Sequence, residues 1–168
     1  RGELPAPDPK CRTADYKDAD PYDTNGDGIF NMLDWTVENG TARPTTPCDP
    51  LVTDVNKNGL IDPQDLIKTF SDGKDGDGNG YTDDISGWDF FRDDNDPADD
   101  THFGHGTGEA RDSAAEGNNG RGSIGVCPEC TIVMVRVADS FVCDANDFGG
   151  AVAFAVDSGA SVIQEALG

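Results

Sequence analysis

Phe103-Gly104-His105-Gly106-Thr107-Gly108 lies between two apolar runs, and the order of elements around it decides the fold. Residues 104–115 read as a helix that carries His105 at its N-terminus. Upstream, residues 87–91 read as a short strand and 92–100 as a charged loop. Downstream, residues 118–125 form a Gly-rich turn and 131–137 a buried strand. Residues 145–158 are a helix that ends at Gly159, a natural C-cap. Residues 161–167 read as a further strand. Strands alternating with helices predict an α/β architecture around a parallel sheet with flanking helices.

Upstream of about residue 85 the composition changes. Residues 1–84 are rich in Asp, Gly, Asn and Pro and offer only two short helical patterns, at 32–38 and 64–70. The expected division is therefore a loop-rich segment, 1–84, and an α/β segment, 85–168. The first segment repeats itself. Asp23-x-Asn25-x-Asp27-Gly28-x-x-Asn31-x-x-Asp34 returns as Asp54-x-Asn56-x-Asn58-Gly59-x-x-Asp62-x-x-Asp65. A shorter copy runs Asp75-x-Asp77-x-Asn79-Gly80-Tyr81-x-Asp83.

The spacing has a physical reason. Calcium takes six to eight hard oxygen ligands. Side chains at loop positions 1, 3 and 5 converge when the chain coils, and Gly at position 6 allows the sharp turn. Position 7 gives a carbonyl, and positions 9 and 12 complete the shell. The first loop then offers Asp23, Asn25, Asp27, the Ile29 carbonyl, Asn31 and Asp34 to Ca2+. The second offers Asp54, Asn56, Asn58, the Leu60 carbonyl, Asp62 and Asp65. The third offers Asp75, Asp77, Asn79, the Tyr81 carbonyl and Asp83, but Ser86 stands at its position 12. Asp84 or a distant residue has to close that shell. Such loops resemble dockerin repeats and EF-hand-like bacterial calcium loops. The plainer reading of an Asp/Asn/Gly cluster is a turn; two full copies at matched spacing favour calcium.

The chain carries 33 acidic and 12 basic residues, a net charge of -21. That charge repels a phosphate backbone, so nucleic acid is excluded as a partner. No apolar stretch is long enough to span a bilayer. The five cysteines favour structural disulfides in an oxidising compartment over free thiols, without fixing the pairing. Cys127-Pro128-Glu129-Cys130 precedes a strand, unlike a thioredoxin-like motif. Absence of an initiator Met and an apolar end at Gly168 suggest a piece cut from a longer precursor.

Segments 79–168, taken in order, resemble the subtilisin-like serine proteases, the subtilases. The Gly-His-Gly-Thr motif appears at 104–107. It follows Gly87-Trp88-Asp89-Phe90 and Asp93-Asp94-Asn95-Asp96-Pro97, as in that family. Ala114-Ala115-x-Gly117-Asn118-Asn119 and Gly122-x-Ile124-Gly125-Val126 resemble its Gly-Asn-Asn and Gly-Val-Ala segments. Ile132-Val133-Met134-Val135-Arg136-Val137 resembles its inner strand, and Ala166-Leu167-Gly168 stands at its Ser-Leu-Gly.

The resemblance implies that His105 is a general base. A serine hydroxyl needs a neighbouring base to lose its proton, and imidazole titrates near neutral pH. Gly104 and Gly106 keep Cβ atoms away from a substrate. His102 lacks that glycine context and reads as a surface residue. The resemblance also implies an extended protein or peptide substrate, lying as an added strand between Asp139, Ser140 and Phe141 on one side and Ala166, Leu167 and Gly168 on the other. A secreted, extracellular bacterial enzyme is the implied setting.

Departures from the family pattern are equally legible. No Asp in residues 1–84 follows an apolar strand, and Asp157-Ser158-Gly159 falls at a helix end. Nothing matches Gly-Thr-Ser-Met-Ala. The implied Asp and Ser partners therefore belong to the remaining parts of a parent protease domain. Gly108-Glu109-Ala110-Arg111 replaces the family's usual His-Val-Ala-Gly and Gln164-Glu165 a neutral pair, and Arg111 on a packed helix face needs a partner, for which Glu109 and Glu165 are both candidates. Two readings follow. One is a segment of a calcium-binding serine endopeptidase. The other is a non-catalytic, calcium-dependent, dockerin-like interaction module on a degenerate protease remnant.

Overall fold

The structure is a computed structural model; it describes residues 2–14, 16–17, 20–37, 45–100, 103–118, 120, 122–140 and 144–166. Two compact units result, Arg1–Ile85 and Ser86–Gly168.

The first unit is built around Leu4, Trp35, Val52, Ile61 and Leu66, with Phe30, Met32, Phe70 and Ile85 packed against them. Its one α-helix among the described residues, α1 (Pro63–Phe70), begins where Asp62 and Asp65 form a reciprocal capping box and Pro63 takes the first helical position. Leu66, Ile67 and Phe70 share a face of α1, and Phe70 lies 5.1 Å from the Trp35 ring. The equivalent stretch of the first loop, expected as a helix over 32–38, makes only the single 3-10 turn Met32–Trp35. The same kind of box, Asn31 with Asp34, starts it. It stops early because the backbone turns sideways into a bridge. The Cys48 amide donates to the Trp35 carbonyl at 3.0 Å, and the Val37 amide to that of Thr46 at 2.9 Å. A disulfide, Cys11–Cys48, fastens this crossing.

The second unit holds β1 (Gly87–Asp89) and β2 (Met134–Arg136), paired in parallel with Gly87 opposite Met134 and Asp89 opposite Arg136. Helices α2 (His105–Ala114) and α3 (Ala145–Asp157) complete it. Gly87 has φ +130°, and a Cβ there would fall 1.7 Å from the Met134 carbonyl oxygen, so only glycine lets the strands meet. On α3, Ala151, Phe154 and Ala155 are buried, with Phe154 edge-on to Phe90 at 6.1 Å. Asp144 caps its N-terminus. Past Asp157, Gly159 at φ +87° lets Ala160 N–H reach the Ala155 carbonyl at 3.0 Å, closing a Schellman-type end.

The strands are shorter than expected. Of 131–137 only Met134–Arg136 pair, and Ile132 and Val133 stay 46% and 42% exposed. The partner strand sets that limit: it begins at Gly87, opposite Met134, and after Asp89 the chain folds back, bridging Asp94. Residues 161–166 form no strand, because no neighbouring strand pairs with them among the described residues; Val162 is 82% exposed. No helix among the described residues is long and apolar enough to cross a membrane.

Candidate functional site

The three acidic loops fold onto one hydrogen-bond ladder. The position-6 glycine donates to the position-1 carboxylate in each: Gly28 to Asp23 and Gly59 to Asp54 at 2.9 Å, Gly80 to Asp75 at 2.8 Å. Position 5 donates to the side chain of position 3 at 3.0 Å, in Asp27 to Asn25, Asn58 to Asn56 and Asn79 to Asp77. Position 7 donates to position 5, in Ile29 to Asp27, Leu60 to Asn58 and Tyr81 to Asn79. The coil that the spacing demands is therefore present three times, with left-handed glycines at its turns.

Position 12 locks the first two loops. Asp34 and Asp65 are fully buried. Asp34 accepts from Thr24 and Asn31 amides at 2.8 and 2.9 Å; Asp65 accepts from Val55 and Asp62 amides at 2.7 and 3.0 Å. Burial raises the pKa of Asp34, against the backbone bonds that lower it. Position 9, Asn31 or Asp62, caps the helical turn that follows.

In the third loop a residue far away in sequence replaces position 12. Glu3 Oε1 accepts from the Gly76 amide at 2.6 Å, the position-2 amide that Asp34 and Asp65 serve in their own loops. It also accepts from Asp77 at 3.0 Å. Glu3, Asp75 and Asp77 bring carboxylate oxygens within 4.8 Å of one another, a set of hard donors suited to Ca2+. Asp84 receives the Asn79 side-chain amide at 2.8 Å, and its pKa is raised, first by burial and then by Asp77 and Glu3. Asp83, expected at position 9, turns away: it is buried and binds the Asp72 and Gly73 amides at 2.9 and 2.8 Å. Glu3 had no sequence signal, because its role arises only when the chain returns to it.

In the second unit, His105 opens α2 directly after Gly104, which sits in the left-handed region at φ 63° and has no side chain to cap with. Asp99 caps instead, accepting from the Thr107 amide and hydroxyl, each at 2.8 Å. The His105 ring is half exposed, 6.0 Å from Phe103, with Nε2 3.5 Å from Glu109 Oε1. A hollow of about 190 Å³ is lined by Phe103, His105, Gly106, Asp139, Ser140 and Ala166, among others. The expected base thus lines one cavity with three of the six expected edge residues, Asp139, Ser140 and Ala166. Phe141, Leu167, Gly168 and His102 lie outside the described residues.

Arg136 also lines that hollow. It is 7% exposed and meets Asp89 at 3.1 Å, Asp100 at 2.9 Å, and Asp139. Asp89 is fully buried; burial raises its pKa, while amides of Arg92 and Phe91 and the guanidinium pull it down. Three of the residues that depart from the family pattern, Glu109, Arg111 and Gln164, also find partners. Gln164 donates to Glu109 Oε2 at 2.8 Å and accepts from the Ser113 hydroxyl. Arg111 pairs with neither Glu109 nor Glu165: it lies on an exposed face of α2 and binds Asp112 at 3.1 Å. Asp157 ends α3, exposed to solvent.

The sequence profile of the subtilase family matches residues 25–168. Over 85 residues the chain is 41% identical to a thermophilic serine proteinase of Bacillus sp. (strain AK1) and 38% identical to thermitase of Thermoactinomyces vulgaris. Each match covers 50% of this chain, but only 21% and 30% of those relatives. No solved structure matches the chain.

Proposed function

The chain belongs to the subtilase family, and from this we propose that it is the histidine-bearing, calcium-loaded segment of a secreted bacterial serine endopeptidase. The observation that carries the reading is the shared hollow: His105 stands beside Asp139, Ser140 and Ala166, the edges that would hold an extended peptide. In that role His105 takes the proton of a serine supplied by another part of the protease domain and returns it to the leaving amine. An Asp carboxylate from another part of the protease domain would hold the ring's tautomer. Arg136 fixes Asp139, and Asp99 fixes the start of α2, so both walls of the hollow are tied to buried or capped groups.

The first unit supplies the calcium loops. Asp23, Asn25, Asp27 and Asp34 would hold one ion, Asp54, Asn56, Asn58 and Asp65 a second, and Asp75, Asp77, Asn79 and Glu3 a third. Position 7 adds the carbonyls of Ile29, Leu60 and Tyr81. Bound Ca2+ neutralises carboxylates that otherwise repel one another and stabilises the folded form by mass action. The wider reading has a direct test. A serine-directed fluorophosphonate should label the longer polypeptide that carries this segment and leave the segment alone unlabelled and inactive on peptides. Steady peptide turnover by the isolated segment, abolished by the reagent, would overturn it.

A further inference from the structure

The two disulfides sit in opposite environments. Cys11–Cys48 spans 37 residues, and Cys11 is only 5% exposed. Cys127–Cys130 spans 3 residues, and both of its cysteines are exposed. A cross-link restrains the unfolded chain in proportion to the logarithm of the loop it closes, so the second pair contributes little as a general staple. Exchange requires a thiolate to reach a sulfur, and exposure separates the pairs: both cysteines of one are exposed, while the other has Cys11 buried and Cys48 half-buried.

Position gives the exposed pair a local effect. The chain entering it is hung on the last turn of α2. Gly125, Val126 and Cys127 donate to the carbonyls of Ala115, Asp112 and Ser113 at 2.9, 3.1 and 2.8 Å. The Cys130 amide donates to the Cys127 carbonyl at 3.1 Å, and β2 begins at Met134. We propose that Cys127–Cys130 is a thiol–disulfide exchange site for a dithiol, a reducible clamp between α2 and β2 that opens while Cys11–Cys48 stays closed. One thiolate of the dithiol attacks a sulfur of the pair and forms a mixed disulfide, releasing the other cysteine as thiolate. The second thiol then closes on the first. The dithiol leaves as its cyclic disulfide, and two electrons and two protons remain on Cys127 and Cys130.

The test uses the intact chain. Free thiol is blocked with iodoacetamide, dithiothreitol is added without denaturant, and pulses of N-ethylmaleimide are mapped by peptide mass spectrometry. Labelling of Cys127 and Cys130 at least tenfold faster than of Cys11 and Cys48 is expected. Equal rates, or earlier opening of Cys11–Cys48, would overturn the proposal. Amide exchange on the singly reduced chain gives the second readout. Val126 and Cys127 should exchange faster while the amides of α1 keep their protection; unchanged Val126 and Cys127 exchange would show that the pair clamps nothing.

Discussion

Replacing Arg136 by Met should expose how the second unit's charges are held. The guanidinium meets three carboxylates, but they are not equivalent. Asp139 and Asp100 are 52% and 49% exposed, so water takes over their solvation and each pair is worth under about 1 kcal/mol. Asp89 is fully buried and would be left as an uncompensated charge, a loss of about 3–5 kcal/mol. Its bonds from the Phe91 and Arg92 amides survive the change, which puts the expected loss near the lower end, about 3 kcal/mol. The pH dependence fixes the cause. Burial already raises the Asp89 pKa above its unfolded value, so its protonated form favours folding: that contribution is present at low pH and is lost as pH rises through the folded pKa. Removing Arg136 raises the pKa further. The deficit of Arg136→Met should therefore be full at neutral pH and shrink as pH falls through that raised value. Urea unfolding followed by the fluorine NMR signal of labelled Trp88, resolved from that of Trp35, measures it in the right unit. A loss below about 1 kcal/mol, or one that does not change with pH, would refute the reasoning.

Other outcomes follow from single features. Gly87→Ala should cost at least about 3 kcal/mol in the same Trp88 measurement, because its Cβ meets the Met134 carbonyl and its φ is positive. Cys11→Ser with Cys48→Ser should cost the first unit about 4 kcal/mol, from the loop that the bond closes, read on the Trp35 signal. By calorimetry, Asp23→Ala should abolish tighter calcium binding than Asp54→Ala does, since the first loop has two carboxylates at positions 1, 3 and 5 and the second has one. A greater loss from Asp54→Ala would contradict that ranking.

What could be read from the sequence was what neighbours along the chain determine. The spacing of Asp, Asn and Gly set the ladder of each loop, since every rung joins residues two to five apart. The C-cap at Gly159 was legible for the same reason, whereas the N-caps Asp62 and Asp144 emerged only in the fold. Strand lengths were not legible, because a strand ends where its partner ends; Ile132 and Val133 are as apolar as Val135 yet have no strand partner among the described residues. The first-loop helix was overestimated because the bridge from Thr36 to Pro47 competes for its backbone. Glu3 beneath the third loop and Gln164 against Glu109 each close a contact across more than fifty residues, which no local pattern announces. The departures from the family pattern at Glu109 and Gln164 had been visible singly; only the fold shows that they answer each other.

The role given to His105 has the most direct test. In the parent protease proposed above, His105→Ala should lower kcat on a peptide substrate by roughly 10⁶-fold while leaving KM and calcium-dependent thermal stability close to the parent's. Activity retained within tenfold would contradict the account, because a residue that merely fills the mouth of the hollow could be removed at that cost.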